Sequence, residues 1–351
     1  MWVKPTKKDF FDRLSLLFVN GGRREMDDNY EKILWEGYGL HFLGGNRVRT
    51  GYLCKTEKGI LEVRKSITPS KQILFEHDIK EHLLEQGFCV SKFLCSQQGL
   101  PYYTWEGNHY TVENAVESEA FNEEETQTFI TGAKLLAKLH KALNGLYSPS
   151  GYFSGKNRLE IYEKRRIELL KIKKRIEKQS SYTPLDLLVK QQFSYYMEKI
   201  EEAKQLFLEI NYSEAIHTAE KQKTICHNIF KGENIRQNKN GIWITGLSKC
   251  TYDHNMVDLV MYFRRFLKKQ DCDIATAEKM LSAYESENTL SVSYQKMLLA
   301  LFIYPEKFLS LCNEYYNKRR VCVSPAMLER MERCIASIEK NEKMEQWLKT
   351  L

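Results

Sequence analysis

His227-Asn228-Ile229-Phe230-Lys231-Gly232-Glu233-Asn234 follows the apolar, strand-like Thr224-Ile225-Cys226. The frame is His, six residues, then Asn, the frame of a phosphoryl-transfer catalytic loop. In such a loop the residue two places after the His is an Asp, which accepts the proton of the attacking hydroxyl, and the Asn holds a metal ion. Here that place belongs to Ile229. An isoleucine has no lone pair, so it can neither orient a hydroxyl nor take its proton.

Around this loop, the pattern predicts short helices over 8–20 and 27–38, then a hairpin of 48–56 and 59–65 turning at Glu57-Lys58-Gly59. Ile73, Leu74, Ile79, Leu83 and Leu84 predict a helix over 71–86, stopped by Gly87. Short strands are expected on either side of Gly99-Leu100-Pro101 and of Glu106-Gly107-Asn108, the last over His109–Glu113. A polar link follows near 117–125. Beyond it, helices are expected over 126–143, 158–178, 185–210, 256–269, 274–284, 290–301, 305–317 and 324–348. A β island at 224–247 interrupts them, with a strand at Gly241–Thr245 entered by the Asn238–Gly241 turn. The expected fold is α+β and two-lobed: residues 1–114 as a small antiparallel-sheet lobe with one helix, and 115–351 as a helical lobe carrying the loop.

The 351 residues carry a net charge of +7, with 53 basic against 46 acidic side chains. That excess permits attraction to an acidic partner surface and does not argue for a nucleic-acid binder. Nine cysteines stand singly, with no CxxC pair, so neither a zinc site nor a disulfide framework is expected. The first residues lack an apolar run of signal-peptide length, and nowhere is there an apolar stretch long enough to span a bilayer.

The order of elements and several local strings resemble the spore coat CotS family, a branch of the aminoglycoside phosphotransferase and choline kinase-like fold. The strings are Leu83-Leu84-Glu85-Gln86-Gly87-Phe88, Gly99-Leu100-Pro101-Tyr102-Tyr103, Tyr110-Thr111-Val112 before Glu117-Ser118-Glu119, and Leu136-Ala137-Lys138-Leu139-His140. Cys250-Thr251-Tyr252-Asp253, Val257-Asp258-Leu259, Tyr304-Pro305-Glu306-Lys307-Phe308 and Glu314-Tyr315-Tyr316-Asn317-Lys318-Arg319-Arg320 complete the series over roughly residues 30–345. The resemblance implies a protein-kinase-like fold, other coat proteins as partners, and a path from mother-cell cytoplasm to spore coat. It also locates the metal-binding Asp-Phe-Asp-like string at Gly246-Leu247-Ser248, where no carboxylate remains. Asn234 alone is a poor anchor for Mg²⁺, which needs hard anionic oxygens.

No cofactor is therefore expected, although ATP and Mg²⁺ could still bind without reaction, and the implied function is a non-catalytic pseudokinase of the spore coat. The alternative is a divergent small-molecule phosphotransferase with unusual metal ligands, including Glu233. Vestigial nucleotide contacts would be Arg64 or Lys65 at the end of the second hairpin strand, with Glu76 or Glu81 as the helix partner. The plain reading makes all four solvated surface charges. Gly44-Gly45-Asn46 reads as a turn or as the tip of a phosphate loop. His227 is expected to prop the loop, His140 to pack, and Asp258 to cap a helix or brace the loop backbone. Cys226, beside His227, is a conceivable nucleophile, but a strand end suggests a buried, inert thiol. The basic run 163–178 reads as an amphipathic helix with a wet face, or as a dock for an acidic coat partner or a lipid surface. Tyr195-Tyr196 and Tyr315-Tyr316 are either packing residues or exposed assembly contacts.

Overall fold

The computed structural model describes residues 29–48, 51–151, 158–317 and 322–351. The helix expected over 8–20 lies outside them. The chain forms two compact units. Of the described residues, the first comprises those up to Phe121 with Leu146–Gly151 and Gly232–Cys250; the second comprises Asn122–Gly145 and those within 152–231 and 251–351. An antiparallel sheet in the first and a mostly helical second make the α+β class expected from the sequence.

The first unit opens with α1 (Asn29–Tyr38), followed by β1 (Gly44–Arg47), β2 (Tyr52–Thr56) and β3 (Gly59–Lys65). Then come α2 (Ser70–Glu85), β4 (Tyr103–Trp105) and β5 (Asn108–Asn114), and the sheet order is β1-β2-β3-β5-β4. Gly44-Gly45-Asn46 belongs to edge strand β1, paired with Lys55, Cys54 and Leu53, and so is neither a turn nor a loop tip. The strand expected before Gly99 does not form; Cys89 and Phe93 make only isolated bridges. Glu106 and Gly107, both at positive φ, make the β4–β5 turn.

Strand alternation divides β3 between two faces. Leu61 and Val63 are buried in a cluster with Ile33, Leu34 and Tyr38 of α1 and Val112 of β5, while Glu62 and Arg64 point the other way. A smaller sheet joins β6 (Glu119–Ala120), β8 (Ile235–Asn238) and β9 (Gly241–Ile244). After β9, Gly246 in left-handed conformation starts a 3-10 turn, Leu247–Lys249, and the Gln72 amide of α2 donates to the Cys250 carbonyl at 2.9 Å.

In the second unit, β7 (Ile225–Cys226) pairs with β10 (Thr251–Tyr252). The helices are α3 (Thr126–Leu143), α4 (Arg158–Glu177), α5 (Pro184–Glu209), α6 (Tyr212–Lys221), α7 (Met256–Lys269) and α8 (Ile274–Glu285). They continue as α9 (Val292–Ile303), α10 (Glu306–Tyr316), α11 (Pro325–Ala336) and α12 (Ile338–Leu348). Thr183 and Asp186 form a reciprocal capping box at the start of α5, with Pro184 at the first helical position. The single helix expected over 324–348 is divided at Ser337, whose hydroxyl donates to the Cys334 carbonyl at 2.6 Å and competes with the helix ladder. Tyr196, Tyr315 and Tyr316 are buried, which assigns them to packing. No described helix is long and apolar enough to cross a membrane.

Candidate functional site

The loop after β7 is held from behind by one carboxylate. Asp258, in the first turn of α7 and 1 % exposed, accepts the backbone N–H of His227 on one oxygen and that of Asn228 on the other, the latter at 2.7 Å. His140 of α3 adds its Nε2 at 3.1 Å, its Nδ1 lies 2.8 Å from the Tyr284 hydroxyl, and that hydroxyl receives the Asn288 amide at 3.2 Å. Asp258 already accepts two backbone N–H groups, so Nε2 supplies the hydrogen between it and His140, and a neutral imidazole then accepts from Tyr284 at Nδ1. Every donor in the series points toward the carboxylate. His140 is thus a satisfied packing residue and Asp258 a brace of the loop backbone.

His227 is fully buried and meets the Phe230 ring edge-on at 5.6 Å, the geometry of a prop. Asn228 takes a left-handed conformation, φ 65°, and its amide donates to Thr251 Oγ1 at 2.9 Å. The chain therefore bends sharply just before Ile229, which is half-buried. Cys226 is fully buried, its thiol pushed well up by burial and donating to the His254 carbonyl at 3.2 Å. A thiol held in its neutral form is no nucleophile.

Asp253, the other aspartate beside the loop strands, is 3 % exposed and fully engaged. Arg158 clamps both of its oxygens, at 3.1 and 2.9 Å, and donates to the Tyr212 hydroxyl at 2.9 Å; the His254 N–H adds a contact at 2.7 Å. A bidentate guanidinium occupies the lone pairs that a metal would need.

The loop continues into the first unit as a 3-10 turn, Gly232–Asn234, with Glu233 exposed. The Asn234 carbonyl accepts the Thr245 N–H at 2.9 Å, fixing the Asn234 backbone to the end of β9. Gly246 follows at φ 77°, then buried Leu247 and half-buried Ser248. Among the described residues no group of three or more His, Cys, Asp or Glu side chains is placed to hold a metal ion.

In the first unit, Arg64 and Lys65 differ in their surroundings. Lys65 is exposed, whereas Arg64 reaches Glu62 and Glu113, each at 2.7 Å. Glu62 and Glu113 are cross-strand neighbours, and two carboxylates in that position repel unless a cation lies between them. From α2, Lys80 reaches Glu113 at 2.8 Å and Glu76 at 3.2 Å, and lies 3.5 Å from the centre of the Phe93 ring. The Ser91 hydroxyl donates to Glu113 as well. Burial alone would raise the Glu113 carboxyl, but Lys80 and Arg64 bring it below the ordinary range; burial holds Glu76 above that range despite Lys80. Neither helix carboxylate is the ion-pair partner expected for Arg64 or Lys65. Glu76 pairs with Lys80, and Glu81 pairs with Lys92 at 2.7 Å and His77 at 3.9 Å. Glu76 is also buried rather than solvated.

Sequence reasoning does not single out Lys80 or Glu113. A signal for them is nonetheless present: Glu76 and Lys80 fall between Ile73 and Leu83 on the stripe that α2 buries, where a charge needs a partner.

A family profile described as "Spore coat putative kinase YutH" matches residues 31–350. Among solved structures, an aminoglycoside phosphotransferase from Alicyclobacillus acidocaldarius aligns with TM-score 0.77 and 14% identity, covering 88% of this chain and 92% of its own. A spectinomycin phosphotransferase bound to ADP and spectinomycin gives 0.63 and 12%, covering 93% and 100%. An amicoumacin kinase bound to AMP-PNP, Ca²⁺ and its antibiotic gives 0.56 and 16%, covering 96% of each chain. At these identities the likeness is one of fold.

Proposed function

The chain belongs to the spore coat YutH kinase-like family, and from that membership we propose that it is a non-catalytic pseudokinase, a coat protein or coat-assembly module built on a phosphotransferase fold. One observation carries the reading. The loop of His227–Asn234 is braced by Asp258, His140 and Tyr284, yet the place for a general base is filled by the hydrocarbon Ile229. The two aspartates beside the loop do not substitute: Asp258 is taken up by backbone N–H groups and His140, Asp253 by Arg158. Loss of a general base forfeits about 10²–10⁴ in rate. Gly246-Leu247-Ser248 supplies no carboxylate for Mg²⁺, so the clamp on the transferring phosphate is lost as well. In the first unit the cation of β3, Arg64, is already engaged by Glu62 and Glu113, which favours weak nucleotide binding or none. The partners are other coat proteins, reached through protein contacts.

The test is phosphotransfer from labelled ATP with Mg²⁺ to pooled amino alcohols and aminoglycosides, alongside thermal shift with the nucleotide. The expected result is neither turnover nor a shift. Ile229→Asp with Gly246→Asp is then expected to gain nucleotide binding. Asp is among the residues that tolerate the left-handed backbone at position 246, at a cost of about 1 kcal/mol. Metal-dependent turnover by the natural chain, abolished by Asn234→Ala, would replace this reading with the divergent phosphotransferase, in which exposed Glu233 is the first ligand to test.

A further inference from the structure

Helix α4 sorts its basic side chains into two sets. Arg165 is paired with Glu168 at 2.8 Å, Arg166 with Glu163 at 2.7 Å and with Glu201 of α5 at 3.3 Å. Lys173 pairs with Glu177 at 3.9 Å and lies over the Phe193 ring, and Arg175 donates to the Tyr316 carbonyl at 3.0 Å. Lys164, Lys171, Lys174 and, just past the helix end, Lys178 are exposed and have no ion-pair partner among the described residues. The unpaired set is ordered. At about 100° per residue, Lys164, Ile167, Lys171 and Lys174 fall within an arc of about 80°, along about 15 Å of helix. Tyr162, Leu169, Ile172 and Ile176 are buried on the inward face. Ile167, in the middle of the lysines, is 40 % exposed. Glu160 stands at the N-terminal end of the same arc.

We propose that this stripe is a docking face for an acidic α-helix of a partner protein, a helix that carries carboxylates at heptad spacing around one apolar side chain. The spacings 164–171 and 167–174 are both seven residues, the repeat at which two helices keep a common seam. Over Lys164, Ile167, Lys171 and Lys174 the seam reads basic, apolar, basic, basic, an asymmetric order that fixes register and direction for a complementary helix. A uniformly negative surface is the poorer fit. A phosphate polymer gains nothing from Ile167, whereas a helix can set one apolar side chain against it. A second copy of α4 would bring lysine against lysine. The stripe gives the chemistry of a partner for the assembly role proposed above, and rests on that reading. Binding at α4 is measured without phosphotransfer, so an inert protein without this surface and an active one with it are told apart.

The experiment uses the full chain and four probes in low salt, read by fluorescence anisotropy and co-sedimentation. They are a three-heptad peptide with glutamates on its contact face around one central leucine, its lysine-for-glutamate twin, phosphatidylglycerol vesicles, and duplex DNA. The expected result is saturable binding of the glutamate peptide alone. K164E/K171E/K174E should weaken it about 30-fold and I167S about 3-fold, in line with a few exposed charge pairs and one partly buried side chain. The same reversal in the first unit, K55E/K58E/K71E, should leave binding nearly unchanged. The proposal is overturned if the glutamate peptide does not bind, if the control reversal weakens it as much, or if vesicles or DNA bind the stripe at least as tightly.

Discussion

Asp258→Ala removes the acceptor on which the loop rests. Three donors lose their partner at once: the N–H groups of His227 and Asn228 and Nε2 of His140. Water cannot readily replace it, because Asp258 is 1 % and His140 also 1 % exposed. Hydrogen bonds to a charged acceptor contribute about 1.5–3 kcal/mol each, and orphaned buried donors keep their desolvation penalty. The sum is not additive, and about 4 kcal/mol is the expected loss for breaking a buried network of this kind. For a unit of this size that lowers Tm by about 10 °C. Asp258→Asn is milder, about 2 kcal/mol, because one carbonyl oxygen persists while the amide NH₂ faces N–H donors. The assay is urea denaturation with His140→Ala and the double variant completing a cycle. A coupling of about 1–2 kcal/mol between positions 140 and 258 is expected. A loss for Asp258→Ala below about 1 kcal/mol, or additive effects at the two positions, would refute the claim that this carboxylate braces the loop.

Glu113→Gln should cost about 3 kcal/mol by urea denaturation at pH 7, because it leaves Lys80 buried with only Glu76 and leaves Arg64 with only Glu62. Since the folded state holds the Glu113 carboxyl below its unfolded value, this stabilisation is present above about pH 4.3 and fades as pH falls through and below it, so the gap between wild type and variant should close in acid. His254 gives a second pH window. Burial pushes its imidazole down to about 4, and its Nδ1 accepts the Met256 N–H at 3.2 Å, a role lost on protonation. The unfolded chain binds the proton first, so stability should fall as pH is lowered from about 6.5 to about 4, by up to about 3 kcal/mol, and His254→Gln should flatten that segment of the pH–stability curve.

The long helices were legible because a 3.6-residue apolar period with polar flanks is a local signal: α3 and α7 run over the residues the pattern predicts, 126–143 and 256–269. The short elements were not. Strand β6 is two residues long and pairs with Arg236 and Gln237, more than a hundred residues away, and an alternating pattern says nothing about a partner. Helix α6 went unread because it follows α5 almost without a break, entered through Asn211 at φ 49°, although Tyr212, Ile216 and Ala219 mark its buried face. For the candidate site, the frame of the loop and the missing carboxylates were visible as residues in order. That Asp253 belongs to Arg158 was not, because the pair is formed by segments 95 residues apart.

The residues that give the loop its motif fill two separable roles. His227 occupies a buried slot against Phe230, Asp258 accepts two backbone N–H groups, and the Asn234 carbonyl fixes the end of β9. Each of these serves folding, through hydrogen bonds and burial that hold whether or not a phosphate is ever transferred. The place two after the His has the other role in such a frame. A carboxylate there serves a substrate, and the half-buried Ile229 gains from the part of its surface removed from water. The two roles therefore respond differently to substitution. Ile229→Asp should cost about 1–2 kcal/mol, the transfer free energy of part of one side chain, while Asp258→Ala should cost at least twice as much. A loop whose stability depended more on position 229 than on position 258 would not be a frame that stands without its catalyst.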